Sequence, residues 1–159
     1  MHAGGGPEGR RMGTPEEDAV RKFWAEAEVP DHHWDAAHID RLVRYMTPDI
    51  HYHVYAWEDP VVGRDAVREE LLRQAPLFHD FLSEVVTVAS QGNTVFMERR
   101  DSMKIGRKLL TQHCVGVFEI DAEGKISVWR DYYDSKEIAV KLSADVNRVS
   151  TAGARGYDS

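Results

Sequence analysis

Trp129-Arg130-Asp131-Tyr132-Tyr133-Asp134 ends a long β-patterned part of the chain, just before the last segment with helical spacing. These six residues hold two carboxylates, an arginine and three aromatic rings. An aspartate enclosed by aromatic and aliphatic side chains is costly to ionise unless another group pairs with it. A candidate partner lies on an earlier predicted strand, in Glu98-Arg99-Arg100-Asp101. The sequence therefore predicts an acid–base site made of two aspartates with an arginine between them.

The segments before this stretch predict an antiparallel sheet. The predicted strands begin at Glu84 and continue as Thr94–Met103, Leu109–Ile120 and Lys125–Tyr133. Short turns separate them, at Gln91-Gly92-Asn93, Ile105-Gly106-Arg107 and Asp121–Gly124. Because such short connections join neighbouring antiparallel strands, the four strands are expected to form a meander.

Helical spacing dominates the front of the chain. Thr14 can cap a helix that begins at Pro15, with Glu17 completing a capping box, and this helix should end before Pro30. The other predicted elements are a polar linker at residues 31–34, a helix ending at Thr47, a strand Ile50–Trp57, a helix opening at Gly63 and a last helix from Ser135 to about Val146. Helices followed by long antiparallel strands predict an α+β domain, with a curved sheet wrapped around the first helices and a pocket between them.

Length and composition predict one domain. The 159 residues fit a single core, which we place at residues 14–149 between a disordered glycine-rich leader (1–13) and a flexible tail (150–159). The net charge of −7 argues against nucleic acid as a partner. No apolar run approaches the ~20 residues of a membrane span, and the N-terminal residues lack the apolar segment of a secretory signal. Cys114 is the only cysteine, which predicts no internal disulfide and a cytoplasmic location.

Strand alternation predicts which side chains of the site face inward. One face of the second long strand is mostly apolar and therefore faces the interior; it holds Val95, Met97, Arg99, Asp101 and Met103. Arg99 and Asp101 would then be buried and must satisfy each other or a third group. A structural ion pair on a solvated face is the alternative. On the last strand Asp131 shares a face with Trp129 and Tyr133; its alternative role is that of a turn or capping residue.

Metal and phosphate sites are not predicted. His51 and His53 lie two apart on one strand face, a spacing that can chelate, but no further Cys or His stands at zinc-like spacing. No glycine-rich phosphate loop follows a strand, and no nucleophile elbow is present. The sequence therefore predicts a site without metal or cofactor.

These motifs together resemble the limonene-1,2-epoxide hydrolase family over most of residues 15–142. The resemblance is carried by Glu98–Asp101, Gly116-Val117-Phe118, Gly124-Lys125-Ile126, Trp129–Asp134 and Gly63-Arg64-Asp65-Ala66-Val67. It implies a cone-shaped, nuclear-transport-factor-2-like fold with a deep apolar pocket, in a protein that is usually a dimer. Relatives of that family include ketosteroid isomerase and SnoaL-like polyketide cyclases.

The resemblance also implies roles for individual residues. By position, Asp131 is similar to the base that deprotonates water and Asp101 to the acid that protonates the epoxide oxygen. Arg99 is similar to the bridge between them, and Tyr52 to a hydroxyl that positions water. The predicted lining of the substrate pocket is Val54, Met97, Met103, Val115, Trp129 and Tyr133. The implied substrate is a small apolar epoxide or a polyketide-like molecule.

One position departs from the family. The family holds its water with an asparagine two residues after the tyrosine, and here that position is Val54. Loss of a water anchor leaves a second activity open, a cyclase in which a hydroxyl of the substrate itself opens the epoxide. A non-enzymatic small-molecule binding domain is the third possibility.

Overall fold

The computed structural model describes residues 13–143. The predicted tail, and the predicted leader apart from Gly13, lie outside these residues, as does the end of the predicted last helix. The division of the chain into leader, domain and tail therefore stays a prediction. None of the helices in the described range is both long and apolar enough to span a membrane.

Three helices and a short terminal helical segment are present in the described range. They are α1 (Pro15–Ala27), α2 (Ala36–Val43), α3 (Arg64–Gln74), with a 3₁₀ turn at Ala75–Leu77, and residues 136–143. The predicted start of α1 is confirmed, because the Glu17 amide donates to Thr14 Oγ1 at 3.1 Å. The Glu17 carboxylate instead accepts from Ser90 Oγ at 2.6 Å, which ties α1 to the sheet.

The strands form one mainly antiparallel sheet. They are β1 (Val29–His33), β2 (Met46–His53), β3 (Val61–Val62), β4 (His79–Gln91), β5 (Thr94–Ile105), β6 (Lys108–Ile120) and β7 (Ile126–Tyr133). Their order is β1-β4-β5-β6-β7-β2-β3, and β2 runs parallel to β7. The predicted α+β class and curved sheet are confirmed. The predicted meander is also confirmed, as β4 to β7 pair in sequence order.

The sheet packs around α1, as the sequence predicts. Phe23 and Trp24 of α1 meet Trp129 of β7 edge-on, with ring centroids 5.3 and 5.8 Å apart. Trp24 also contacts the ring of Phe118 on β6. These aromatic rings pack against one another in the interior of the protein. The polar residues of β5 and β7 lie beside them.

Two predicted elements differ from the structure. Most of the segment predicted as a linker (31–34) belongs to β1, whose Val29 and His33 pair with Phe81 and His79 of β4. Four of its five side chains are exposed, so this edge strand has no alternating pattern from which it could be recognised.

Strand β2 begins earlier and ends earlier than the predicted strand Ile50–Trp57. Met46, which the helical pattern placed in the second helix, already pairs with Ile126 of β7. Pro48 is tolerated because the β2–β7 register is irregular between Met46 and His51. The strand ends at His53, so Val54 begins a loop that leads to β3.

Candidate active site

Arg99 lies between two carboxylates in the interior. Its side chain is 2% exposed, and Nε donates to both oxygens of Asp101, at 3.1 Å to Oδ1 and 2.9 Å to Oδ2. Nη2 donates to Asp131 Oδ2 at 2.8 Å. The guanidinium carbon lies 3.8 Å from the centre of the Trp24 ring, an additional attraction for a buried cation. The structure thus brings together the three side chains that the sequence singled out.

The strand register explains how Arg99 reaches Asp131. Arg99 and Asp101 share the inner face of β5, whereas Asp131 lies on β7, with β6 between them. On β6, Gly116 pairs with Asp131. A Cβ atom at position 116 would lie 2.6 Å from Arg99 Nη1 and also 2.6 Å from the Phe118 ring. Glycine is therefore required here so that the guanidinium can cross β6.

Asp131 accepts a hydrogen bond on each carboxylate oxygen. Besides the bond from Arg99 to Oδ2, the indole Nε1 of Trp129 donates to Oδ1 at 3.0 Å. The Asp131 side chain is 12% exposed, more than either Arg99 or Asp101. Asp131 is thus a firmly oriented acceptor at the more accessible end of the three-residue set.

Asp101 is the more buried of the two carboxylates. Ser83 Oγ on β4 donates to its Oδ1 at 2.7 Å, and the residue is 6% exposed. Burial raises the pKa of Asp101 above its ordinary value, and this effect outweighs Arg99 and Ser83, which both lower it. Burial by itself would lower the pKa of Arg99, but the charges of Asp131 and Asp101 raise it, so the guanidinium stays protonated.

Tyr52 lies beside this set on β2. Its ring stacks on Trp129 with centroids 4.1 Å apart, and the residue is 4% exposed. Burial raises the pKa of the Tyr52 hydroxyl, and the negative charge of Asp131 raises it further. The phenol therefore remains neutral and can both donate and accept a hydrogen bond.

Two polar neighbours of the site were missed from the sequence. Gln74 approaches the Tyr52 hydroxyl with Oε1 at 3.5 Å and Nε2 at 3.4 Å. A signal for it existed, since Gln74 stands three residues after Leu71 and seven after Val67, on the apolar face of α3. Ser83 left no such signal, because its place opposite Asp101 depends on the β4–β5 register.

The residues predicted to line a pocket divide into two groups. Met97, Met103 and Trp129 are buried, while Val54 and Tyr133 are half-buried and joined by a 3.4 Å hydrogen bond from Tyr133 Oη to the Val54 carbonyl. Their role in binding a substrate, and the deep apolar pocket itself, stay predictions.

The prediction for Val115 is wrong. Val115 is 38% exposed and pairs with Glu98 and Tyr132, which are exposed on the outer face of the sheet. Because directly paired residues of an antiparallel sheet share a face, Val115 faces away from Arg99. The apolar run Val115-Gly116-Val117-Phe118 carries no alternation that would have shown this.

Within residues 13–143, no cluster of three or more His, Cys, Asp or Glu side chains has a geometry suited to a metal ion. His51 and His53 each use Nδ1 on a backbone carbonyl, of Asp49 and Glu58 respectively, both at 2.9 Å. Their spacing on the strand is thus accounted for by local hydrogen bonds.

Comparison with known proteins finds a matching domain family and a curated relative. A family model described as SnoaL-like domain matches residues 31–129. The curated protein Epoxide hydrolase EphG of Mycobacterium tuberculosis is 36% identical over 64 residues, which are 40% of this chain and 42% of that protein. The alignment therefore spans less than half the length of that relative.

Two solved structures share the fold. An LEH-like epoxide hydrolase of M. tuberculosis superposes with a TM-score of 0.66 at 22% identity, covering 87% of this chain and 96% of that one. The epoxide hydrolase/cyclase-like enzyme SalBIII, which acts in pyran ring formation in the polyether salinomycin, gives 0.63 at 19% identity, covering 77% and 92%. These matches confirm the predicted nuclear-transport-factor-2-like fold.

Proposed function

The chain belongs to the SnoaL-like domain family, and on that premise we propose that it is an epoxide hydrolase of the limonene-1,2-epoxide hydrolase type. The substrate is a small apolar epoxide, which is opened in one step by water. The observation that carries the proposal is the buried arrangement in which Arg99 binds Asp101 on one side and Asp131 on the other. Their environments differ in the way that an acid–base pair requires.

The proposed reaction uses the two aspartates in opposite roles. Asp131 takes a proton from water while the water oxygen attacks an epoxide carbon, and the carbon–oxygen bond of the ring breaks. Asp101 gives its proton to the departing epoxide oxygen, so the product is a diol. Asp131 is then protonated and Asp101 ionised, and one proton must pass back to Asp101 before the next turnover.

Arg99 explains why this exchange of charge is not costly. Negative charge disappears from Asp131 and appears on Asp101 during the reaction, and the guanidinium already donates to both. The cation therefore stabilises the charge before and after ring opening without moving. Such preorganised electrostatic stabilisation is usually a large part of enzymatic rate enhancement.

A second candidate is a cyclase of the polyether type, in which an internal hydroxyl replaces water. Two observations favour it: Val54 stands where the hydrolase family has an asparagine, and the fold is shared with SalBIII. The same acid, base and arginine would serve, because only the origin of the attacking oxygen differs.

Isotope labelling separates the two activities. The purified protein is incubated in H₂¹⁸O with a panel of cycloalkene and terpene epoxides and with hydroxy-epoxides. Hydrolysis is expected to give diols that carry one labelled oxygen, detected by mass spectrometry. A product of unchanged mass from a hydroxy-epoxide would instead establish the cyclase. No diol above the background of boiled protein across the panel would contradict the hydrolase proposal.

A pH profile tests the role of Asp101. The acid must be protonated, so activity is lost as pH rises through the pKa of Asp101. Ser83 lowers that pKa by donating to the carboxylate, and Ser83→Ala is therefore expected to move the alkaline limb of kcat/KM to higher pH. Ser102→Ala is the matched control, because Ser102 bonds Thr111 instead. An unmoved limb, or one moved to lower pH, would speak against this assignment.

The assembly and location of the protein complete the proposal. We infer a homodimer that uses the outer face of the sheet, where large apolar side chains are exposed on adjacent strands: Val86, Phe96, Val115 and Tyr132. Sedimentation equilibrium tests the dimer, and a monomer at micromolar concentration would overturn it.

The single cysteine is consistent with a cytoplasmic enzyme, which fractionation of cells would check.

A further inference from the structure

The side chain beside Tyr52 bears on which nucleophile the site accepts. We propose that Gln74 is the water-positioning residue of this chain and supplies, from α3, the amide that position 54 lacks. This inference rests on the proposed hydrolase function and concerns the nucleophile at that same site.

Glu70 orients the amide of Gln74, whose Oε1 and Nε2 lie 3.5 and 3.4 Å from the Tyr52 hydroxyl. Gln74 Nε2 donates to Glu70 Oε1 at 2.9 Å, one helical turn earlier on α3. Glu70 is buried, and its other oxygen pairs with the exposed side chain of Arg73. Because a carboxylate can accept only from the amide NH₂ group, Glu70 sets the amide orientation and leaves Oε1 as the available acceptor.

A continuous set of contacts joins Gln74 to the base. Gln74 Oε1 lies 3.5 Å from the Tyr52 hydroxyl, and the Tyr52 ring stacks on Trp129. The Trp129 indole in turn donates to Asp131 Oδ1 at 3.0 Å. Gln74 is therefore linked to Asp131 through the side chains of Tyr52 and Trp129.

The chemistry of water gives this amide a purpose. A water molecule that attacks carbon has two hydrogens, and Asp131 accepts only one of them. In a buried site the second hydrogen also needs an acceptor. A buried polar group without a hydrogen-bond partner destabilises the complex by the full free energy of its desolvation. Gln74 Oε1, next to the Tyr52 hydroxyl, supplies that acceptor. An internal hydroxyl of a substrate has a single hydrogen and gains nothing from it, so Gln74 favours water over an alcohol as the nucleophile.

The ordinary explanation is that Gln74 only closes the last turn of α3 against Glu70. The two explanations differ in what a change at position 74 does to turnover and in whether an amide elsewhere restores it. Val54 is half-buried and stands at the position where the hydrolase family has an asparagine, so Val54→Asn would supply an amide from a different segment of the chain.

The test uses Gln74→Met, which keeps length and volume but removes the amide. With a labelled-water assay, kcat for diol formation is expected to fall by about 10²-fold while KM for the epoxide stays within about twofold. The double variant Gln74→Met, Val54→Asn is expected to recover most of the lost kcat. Gln91→Met, an exposed change at the end of β4, is the matched control and should leave kcat unchanged.

Each other outcome overturns the inference. A normal kcat for Gln74→Met would remove Gln74 from the reaction but leave the hydrolase proposal intact. A lower kcat that Val54→Asn fails to restore would mark Gln74 as structural. Should Gln74→Met fail to fold, Glu70→Gln tests the same point, since it keeps the amide but frees its orientation; unchanged kcat there would equally overturn the role. No diol from the wild-type protein would overturn the proposed function and this inference together.

Discussion

Asp131→Asn is expected to lower kcat for epoxide opening by about 10³-fold and to leave the protein folded. An amide cannot accept the proton of the nucleophile, and general-base catalysis contributes about 10²- to 10⁴-fold. Asparagine keeps an oxygen that can accept from Arg99 or from the Trp129 indole, so the packing of the site is preserved. The measurement is steady-state turnover of the best epoxide substrate, with thermal unfolding recorded in parallel.

Asp134→Asn is the matched control for this prediction. Asp134 follows Asp131 by three residues, but it is exposed and caps the next turn by accepting from the Lys136 amide at 2.9 Å. Its turnover should equal that of the wild type. If Asp131→Asn retained turnover within about threefold, Asp131 would not be the base. If neither the variant nor the wild type turned over any substrate but both bound one equally, the protein would be a binding domain.

Arg99→Met is expected to produce the largest loss of stability of any single change at the site, about 3–5 kcal/mol in the free energy of unfolding. Arg99 is 2% exposed, and its removal leaves Asp101 and Asp131 facing each other without a cation. Urea unfolding at neutral pH measures the loss. Arg100→Met, on the exposed face of the same strand, should change the free energy of unfolding by at most about 0.5 kcal/mol.

The pH dependence of this loss gives an independent check. Arg99 lowers the pKa of Asp101, so without the guanidinium that pKa in the folded protein rises further above its value in the unfolded chain. Protonation then stabilises the folded form, so the deficit of Arg99→Met should shrink as pH falls and grow as pH rises through the raised pKa. A deficit that is constant with pH would mean that packing, and not charge, accounts for the loss.

Arg99→Lys keeps one charge but cannot reach both carboxylates, so it should fold better than Arg99→Met yet turn over poorly.

Local patterns were sufficient for the elements that carry the site. The capping signal at Thr14 placed the start of α1, and period-two alternation placed Arg99 and Asp101 on the inner face of β5. Both signals depend on residues a few positions apart, which share a face whatever the rest of the fold does. The Arg-x-Asp and Trp-Arg-Asp motifs could therefore be recognised as parts of one site before any contact was known.

The alternation of apolar and polar residues did not reveal side-chain direction or strand position where a segment was uniformly apolar or mostly polar. The run of apolar residues around Gly116 gave no sign of which side chains face inward, and so Val115 was placed in the pocket although it is exposed. The polar edge strand β1 looked like a linker, and the start of β2 looked like the end of a helix. In each case the strand exists because of its partner, β4 or β7, and not because of its own sequence.

The sequence by itself determined the α+β class, the course of the long antiparallel strands and the identity of the arginine and two aspartates. Only the tertiary structure decided their geometry. It showed that Arg99 crosses β6 at Gly116 to reach Asp131, that Ser83 donates to Asp101 and that Gln74 lies beside Tyr52. The physical reason is one of range. Periodicity and capping act between near neighbours in the chain, whereas the protonation state of Asp101 and the partners of Tyr52 depend on burial and contacts between distant strands and helices.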